Sequence, residues 1–148
     1  MLIERIRDDL NAATKRRDAL VQRTLRSVIA AVQEAQVSGA EATQLDDSGV
    51  EAVIKSQVKR RIDAAEAFDA GGRDDRAADE RAELAILETY LPAALSADEL
   101  TEIVDRVVAA GGFSAPSDMG PAMKAVNAEV AGRADGRTVA DLVKSRLS

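Results

Sequence analysis

Apolar residues recur at steps of three and four along nearly the whole chain, and that spacing restricts the fold to packed α-helices. Ile3, Ile6, Leu10 and Ala13 form the first stripe; Val21, Leu25, Val28, Ile29 and Val32 form the second. Between them, Arg16-Arg17-Asp18 reads as a break between two helices in preference to a polar part of one long helix. The periodicity stops at Ser38-Gly39, and residues 38–49 mix Gly, Asp, Ser and Thr as a loop does. Asp47 or Ser48 is placed to cap a third helix whose buried stripe is Val50, Ile54, Val58, Ile62 and Ala65. Gly71-Gly72 ends it, because glycine accepts the left-handed conformation in which helices commonly stop. Asp74-Asp75 opens a fourth helix with Leu84, Leu87 and Leu91 on its core face.

Pro92 cannot continue that helix and biases its predecessor away from helical angles, so a domain boundary is expected at Leu91-Pro92. Ser96-Ala-Asp-Glu99 fits a capping box for a fifth helix carrying Leu100, Ile103, Val104 and Val107. After Gly111-Gly112, Ser117 is placed to cap a sixth helix, with Met119, Met123, Val126 and Val130 on one side and Gly132 at its end. Asp135 caps a short seventh helix bearing Val139, Leu142, Val143 and Leu147. The pattern predicts an all-α chain: an N-terminal helical bundle over residues 1–91, then a small C-terminal three-helix domain over 92–148. The second unit is near the size at which a single core becomes marginal.

The residue inventory narrows the chemistry. Of 148 residues, 46% are hydrophobic and 31% charged, enough for both a core and a wet surface. With no His and no Cys there is no imidazole relay, thiol nucleophile, disulfide frame or conventional zinc site. Three aromatics, Phe68, Tyr90 and Phe113, cannot supply base-stacking platforms. No Gly-x-Gly-x-x-Gly or phosphate-loop Lys-Ser/Thr pair occurs, so no nucleotide cofactor is expected. Asp74, Asp75, Asp79 and Glu80 read as a solvated helix face, not a metal site. The first ten residues break their apolar positions with charge, and no run approaches the roughly 18 apolar residues of a membrane span. A cytoplasmic location without membrane contact is the expectation.

The net charge of −6 conceals an uneven distribution. Residues 1–30 carry seven bases and four acids, residues 63–102 three bases and twelve acids, and residues 121–148 five bases and three acids. Gly132-Arg133-Ala134-Asp135-Gly136-Arg137 lies between two helices, with Lys124 and Lys144 on the adjoining elements. One reading makes Lys124, Arg133, Arg137 and Lys144 a phosphate-contact surface around the open amides of the last helix. The other has Asp135 satisfy those amides while the arginines pair with nearby acids, Arg137 with Asp141 among them. Lys55, Lys59, Arg60 and Arg61 read as a solvated flank.

Three segments, Glu83–Ser96, Asp118-Met-Gly-Pro-Ala-Met-Lys124 and Gly132-Arg-Ala-Asp-Gly136, resemble the GatB/YqeY family. Arg26-Ser-Val-Ile-Ala30 and Val58-Lys-Arg-Arg-Ile62 are similar to it too, so the likeness runs through the whole chain. The nearest kind is the stand-alone YqeY-like protein; a related segment ends the B subunit of the tRNA-dependent amidotransferase. The resemblance implies an all-helical, noncatalytic module that binds tRNA or a protein partner in tRNA amidation. Lys124 and Arg133 fall inside matched segments, whereas Arg137 and Lys144 enter by charge and position. Pro121 departs from the small or basic residue often found after the family's glycine. The alternatives are a protein–protein adaptor, or a component of a carbon–nitrogen ligase with glutamine as amido-N-donor. The latter would need a glutaminase or ATP site that the chain does not display.

Overall fold

A computed structural model describes all residues, 1–148, and contains seven α-helices and no strand. The helices are α1 (Leu2–Arg16), α2 (Ala19–Val37), α3 (Asp47–Ala70), α4 (Asp74–Glu88), α5 (Ala97–Gly111), α6 (Met119–Val130) and α7 (Gly136–Arg146). They divide between two compact units, Met1–Leu91 and Pro92–Ser148.

In the first unit α3 packs along α4, α1 along α2, and α2 touches both α3 and α4. Their shared core is Ile3, Ile6, Leu25, Val28, Val32, Val50, Ile54, Leu87 and Tyr90. The break at 16–18 is real: Arg17 takes a left-handed conformation (φ 58°) and the Asp18 carboxylate accepts the Val21 amide at 3.2 Å. The cap of α3 lies one residue before the expected pair. Asp46 accepts the Gly49 amide at 2.8 Å, while Asp47 reaches across to the Leu2 amide of α1, also at 2.8 Å. Asp47 therefore satisfies one of the orphan donors of a different helix, a role that local spacing does not reveal.

The buried line of α3 also differs from the apolar stripe. Val50, Ile54, Gln57, Arg61 and Ala65 face inward, Val58 is half-buried and Ile62 is 39% exposed. The inward residues repeat at 4, 3, 4 and 4, which holds one face of a helix better than the all-apolar alternative. Two polar side chains have thus displaced two aliphatic ones. Leu84, expected on the core face of α4, is only half-buried, and Leu87 and Ala77 are the fully enclosed residues there.

The second unit is a mutual packing of α5, α6 and α7. Leu100, Val104, Val107, Val108, Ala122, Val126, Val130, Val139, Val143 and Leu147 form its core, with Ile103, Met119, Met123 and Leu142 at the margin. Ser96 caps α5, accepting the Glu99 amide at 3.1 Å. Ser117 does not cap α6. A single 3-10 turn, Pro116–Asp118, precedes that helix, and the Asp118 carboxylate turns back to take the amides of Ser114 (2.9 Å) and Ala115 (3.0 Å). Those two bonds hold the Asp118 carboxyl below the ordinary carboxylate range. At the end of α5, Gly112 is left-handed (φ 67°), and Gly111 leaves its β-carbon space to the Phe113 ring.

Candidate nucleic-acid interface

The turn from α6 to α7 is built by backbone geometry first. Ala131 (φ 50°) and Gly132 (φ 76°) reverse the chain, and Asp135 begins α7 by accepting both the Thr138 amide (3.1 Å) and its hydroxyl (3.2 Å). A carboxylate already occupies the mouth of that helix. Anion attraction here must come from side-chain cations and not from free amides.

The four candidate cations behave differently from one another. Arg133 is half-buried and works as a clasp: its Nε donates to the Ala93 carbonyl at 2.8 Å, and its own carbonyl accepts the Leu95 amide at 2.8 Å. It fastens residues 93–95 onto the α6–α7 turn. Lys124 is exposed, two positions from both Ala122 and Val126, and so points away from the core. Arg137 and Lys144 are exposed on α7, seven residues apart, which places them on one face about 10 Å apart along the axis. Asp141 stands between them on the same face, yet no ion pair joins it to Arg137. The ion pairs of this unit are Arg106–Glu129 (3.1 Å) and Arg146–Asp105 (2.5 Å), which leaves Lys124, Arg137 and Lys144 unpaired. Arg106 holds the Glu129 carboxyl below its ordinary value. The structure brings Arg137 and Lys144 together, sets Lys124 on a neighbouring helix and commits Arg133 to a structural contact.

The least anticipated polar constellation lies in the first unit. Arg61, expected on a solvated flank, is 9% exposed. Its Nε donates to Glu83 at 3.0 Å, one terminal nitrogen donates to the Gln57 side chain (2.8 Å) and carbonyl (3.2 Å), and the other donates to the Ser27 hydroxyl at 3.4 Å. Arg23 meets the second oxygen of Glu83 at 2.8 Å. An open depression of roughly 240 Å³ beside this network is lined by Arg60, Ala64 and Glu80 as well. Lys59 and Arg60 are exposed, as expected of a flank, and Lys55 is half-buried. The signal for Arg61 was present: Gln57 and Arg61 continue the 4-3-4 register of Val50 and Ile54. Counting only apolar residues hides it.

No three Asp, Glu, His or Cys side chains converge as a metal site, and no helix is long and apolar enough to cross a membrane. The sequence matches the family described as Yqey-like protein over residues 3–147. The chain belongs to the YqeY-like family. Two relatives are each named altered inheritance of mitochondria protein 41, mitochondrial. The one from Meyerozyma guilliermondii is 32% identical over 108 residues, covering 69% of this chain and 56% of its own length. The one from Candida glabrata is 24% identical over 90 residues, covering 61% and 50%. This YqeY-like chain spans about half the length of the curated relatives it matches.

Proposed function

We propose that this YqeY-like chain is a noncatalytic module that holds tRNA by its phosphate backbone, through Lys124, Arg137 and Lys144 of the C-terminal unit. The carrying observation is that these three cations are exposed and unpaired while the other arginines of the unit are engaged. The likeness of the sequence to the appended region of the tRNA-dependent amidotransferase B subunit supports tRNA as the polyanion. With Tyr90 buried and Phe68 and Phe113 half-buried, the interface reads backbone and shape rather than stacked bases.

Gel retardation of total tRNA by the full chain tests this across 50–200 mM salt. A slope of about −0.7 to −0.9 per phosphate makes three contacts account for a roughly 20- to 40-fold loss of affinity over that range. Replacing Lys124, Arg137 and Lys144 together by Gln should remove that part of the salt dependence. Arg133 is left intact, since replacing it would also remove its side-chain bond to the Ala93 carbonyl. Absence of retardation at 50 mM salt, or indifference to the triple replacement, refutes the assignment. A partner that copurifies after nuclease treatment would point to an adaptor instead.

A further inference from the structure

We infer that Lys15, Arg16 and Arg17 form a second RNA phosphate-contact surface, carried by the N-terminal unit; this rests on the reading that the partner is RNA. The three residues are consecutive at the corner where α1 turns into α2, and all are exposed. None of their side chains makes an ion pair or hydrogen bond. Elsewhere in the unit Arg23 and Arg61 are bound to Glu83, Arg73 to Asp75, Arg81 to Asp69, and Arg5 lies over the Tyr90 ring at 4.8 Å; Arg7, Lys59, Arg60 and Arg76 are free as well, but nowhere else do three free cations follow one another in the chain. The acid adjoining the corner, Asp18, is half-buried and spent on the Val21 amide.

Arg17 supplies the second observation. It sits at φ 58°, ψ 37°, the position past a helix end that glycine or asparagine usually fills. The turn itself is closed by backbone bonds alone, Arg17 N–H to Thr14 at 3.2 Å and Asp18 N–H to Ala13 at 3.0 Å. The guanidinium contributes nothing to it, and the left-handed backbone is strained for any side chain with a β-carbon. Ala131 takes the same conformation (φ 50°) with only a methyl group, so what sets Arg17 apart is not the backbone but a free guanidinium that the turn does not use, next to two more free cations. Lys15 and Arg16 also complement the negative end of the α1 dipole, but Arg17 lies beyond the helix and has no such explanation. RNA fits this corner better than a bilayer does. The large exposed apolar residues are Met1, Val37 and Ile62, so no apolar anchor sits beside the three cations.

The test uses the full chain, total tRNA and salt from 50 to 200 mM. Lys15→Gln/Arg16→Gln/Arg17→Gly should make the log–log slope shallower by about 0.7–0.9 per residue, a roughly 20- to 40-fold smaller loss over that range. Arg17→Gly alone should weaken binding while raising the thermal midpoint followed by Tyr90 fluorescence, because glycine relieves the backbone. A purely structural role would move only the midpoint, and that result overturns the inference. If the N-terminal triple variant binds as wild type while the Lys124/Arg137/Lys144 variant fails, this inference falls and the proposed function stands. If only the N-terminal variant fails, the inference holds and the C-terminal interface falls. No binding of tRNA by the wild-type chain overturns both. Capture on phosphatidylserine vesicles that depends on these three residues, with tRNA binding unchanged in the triple variant, overturns it in favour of a membrane surface.

Discussion

Replacing Glu83 by Ala should be the most damaging single change available in the first unit outside its aliphatic core. The carboxylate joins two guanidiniums of unequal burial. Arg23 is 61% exposed, so water screens its share of the interaction and little of the stability rests on it. The Arg61 side chain is only 10% exposed and Glu83 14%, and truncating one partner there strands a charge that water reaches poorly. Breaking a buried pair costs about 3–5 kcal/mol, and the residual exposure places this one near 3 kcal/mol. For a unit of this size that corresponds to a midpoint fall of roughly 12–24 °C. Tyr90 is the only tyrosine, there is no tryptophan, and Tyr90 lies in the core of this unit. Its fluorescence therefore follows the first unit without interference from the second. Arg61→Met, which keeps the aliphatic stem, should cost about 2 kcal/mol. Arg61→Met/Glu83→Ala should then cost less than the sum of the single changes by at least about 1.5 kcal/mol. Strict additivity, or a loss below about 1 kcal/mol for Glu83→Ala, would show that the network is solvated and that its burial is misjudged.

Two further outcomes concern the second unit. Gly111→Ala drives a methyl group into the Phe113 ring and should destabilise by about 1–3 kcal/mol, read as faster amide hydrogen exchange in α5 with α1–α4 unchanged. Asp118 is held below its ordinary pKa of 3.8 by the Ser114 and Ala115 amides. Its contribution to stability is therefore complete above that value and is lost as pH falls through the lower folded value. Asp118→Asn should flatten this part of the acid denaturation profile, and an unchanged profile would mean that the two amides do not hold the carboxylate.

The helices were legible because one stripe per helix is a repeated signal that no single substitution erases. Ile3, Ile6 and Ala13 of α1, and Leu25, Val28 and Val32 of α2, are buried where their spacing puts them. The caps were legible only where they act locally. Ser96 and Asp135 accept amides three residues ahead. Asp47 and Asp118 do not: one bonds a helix 45 residues away, and the other bonds backward into the preceding turn. Arg61 escaped for a different reason. A charged residue can occupy a core register when its partners come from other helices, and those partners, Ser27 and Glu83, are separated from it by 34 and 22 residues. Among the cations of the second unit, Arg133 could not be told from Arg137 by sequence. A clasp on a carbonyl 40 residues distant leaves no local trace.

The buried network also changes what the family likeness means in the first half of the chain. The segments that carry it there, Arg26–Ala30, Val58–Ile62 and the one beginning at Glu83, contribute Ser27, Arg61 and Glu83 to a single polar cluster. The cluster ties α2, α3 and α4 together, because a guanidinium fork accepts few geometries. In these segments Ser27, Arg61 and Glu83 thus have an architectural role that requires no RNA. Lys15, Arg16 and Arg17 lie within the family match over residues 3–147 but outside the five short segments that first show the likeness, and two of the three C-terminal cations lie beyond the last of them. The nucleic-acid reading therefore stands on exposure and unpaired charge, which charge-neutralising variants test directly, and the fold would survive its refutation.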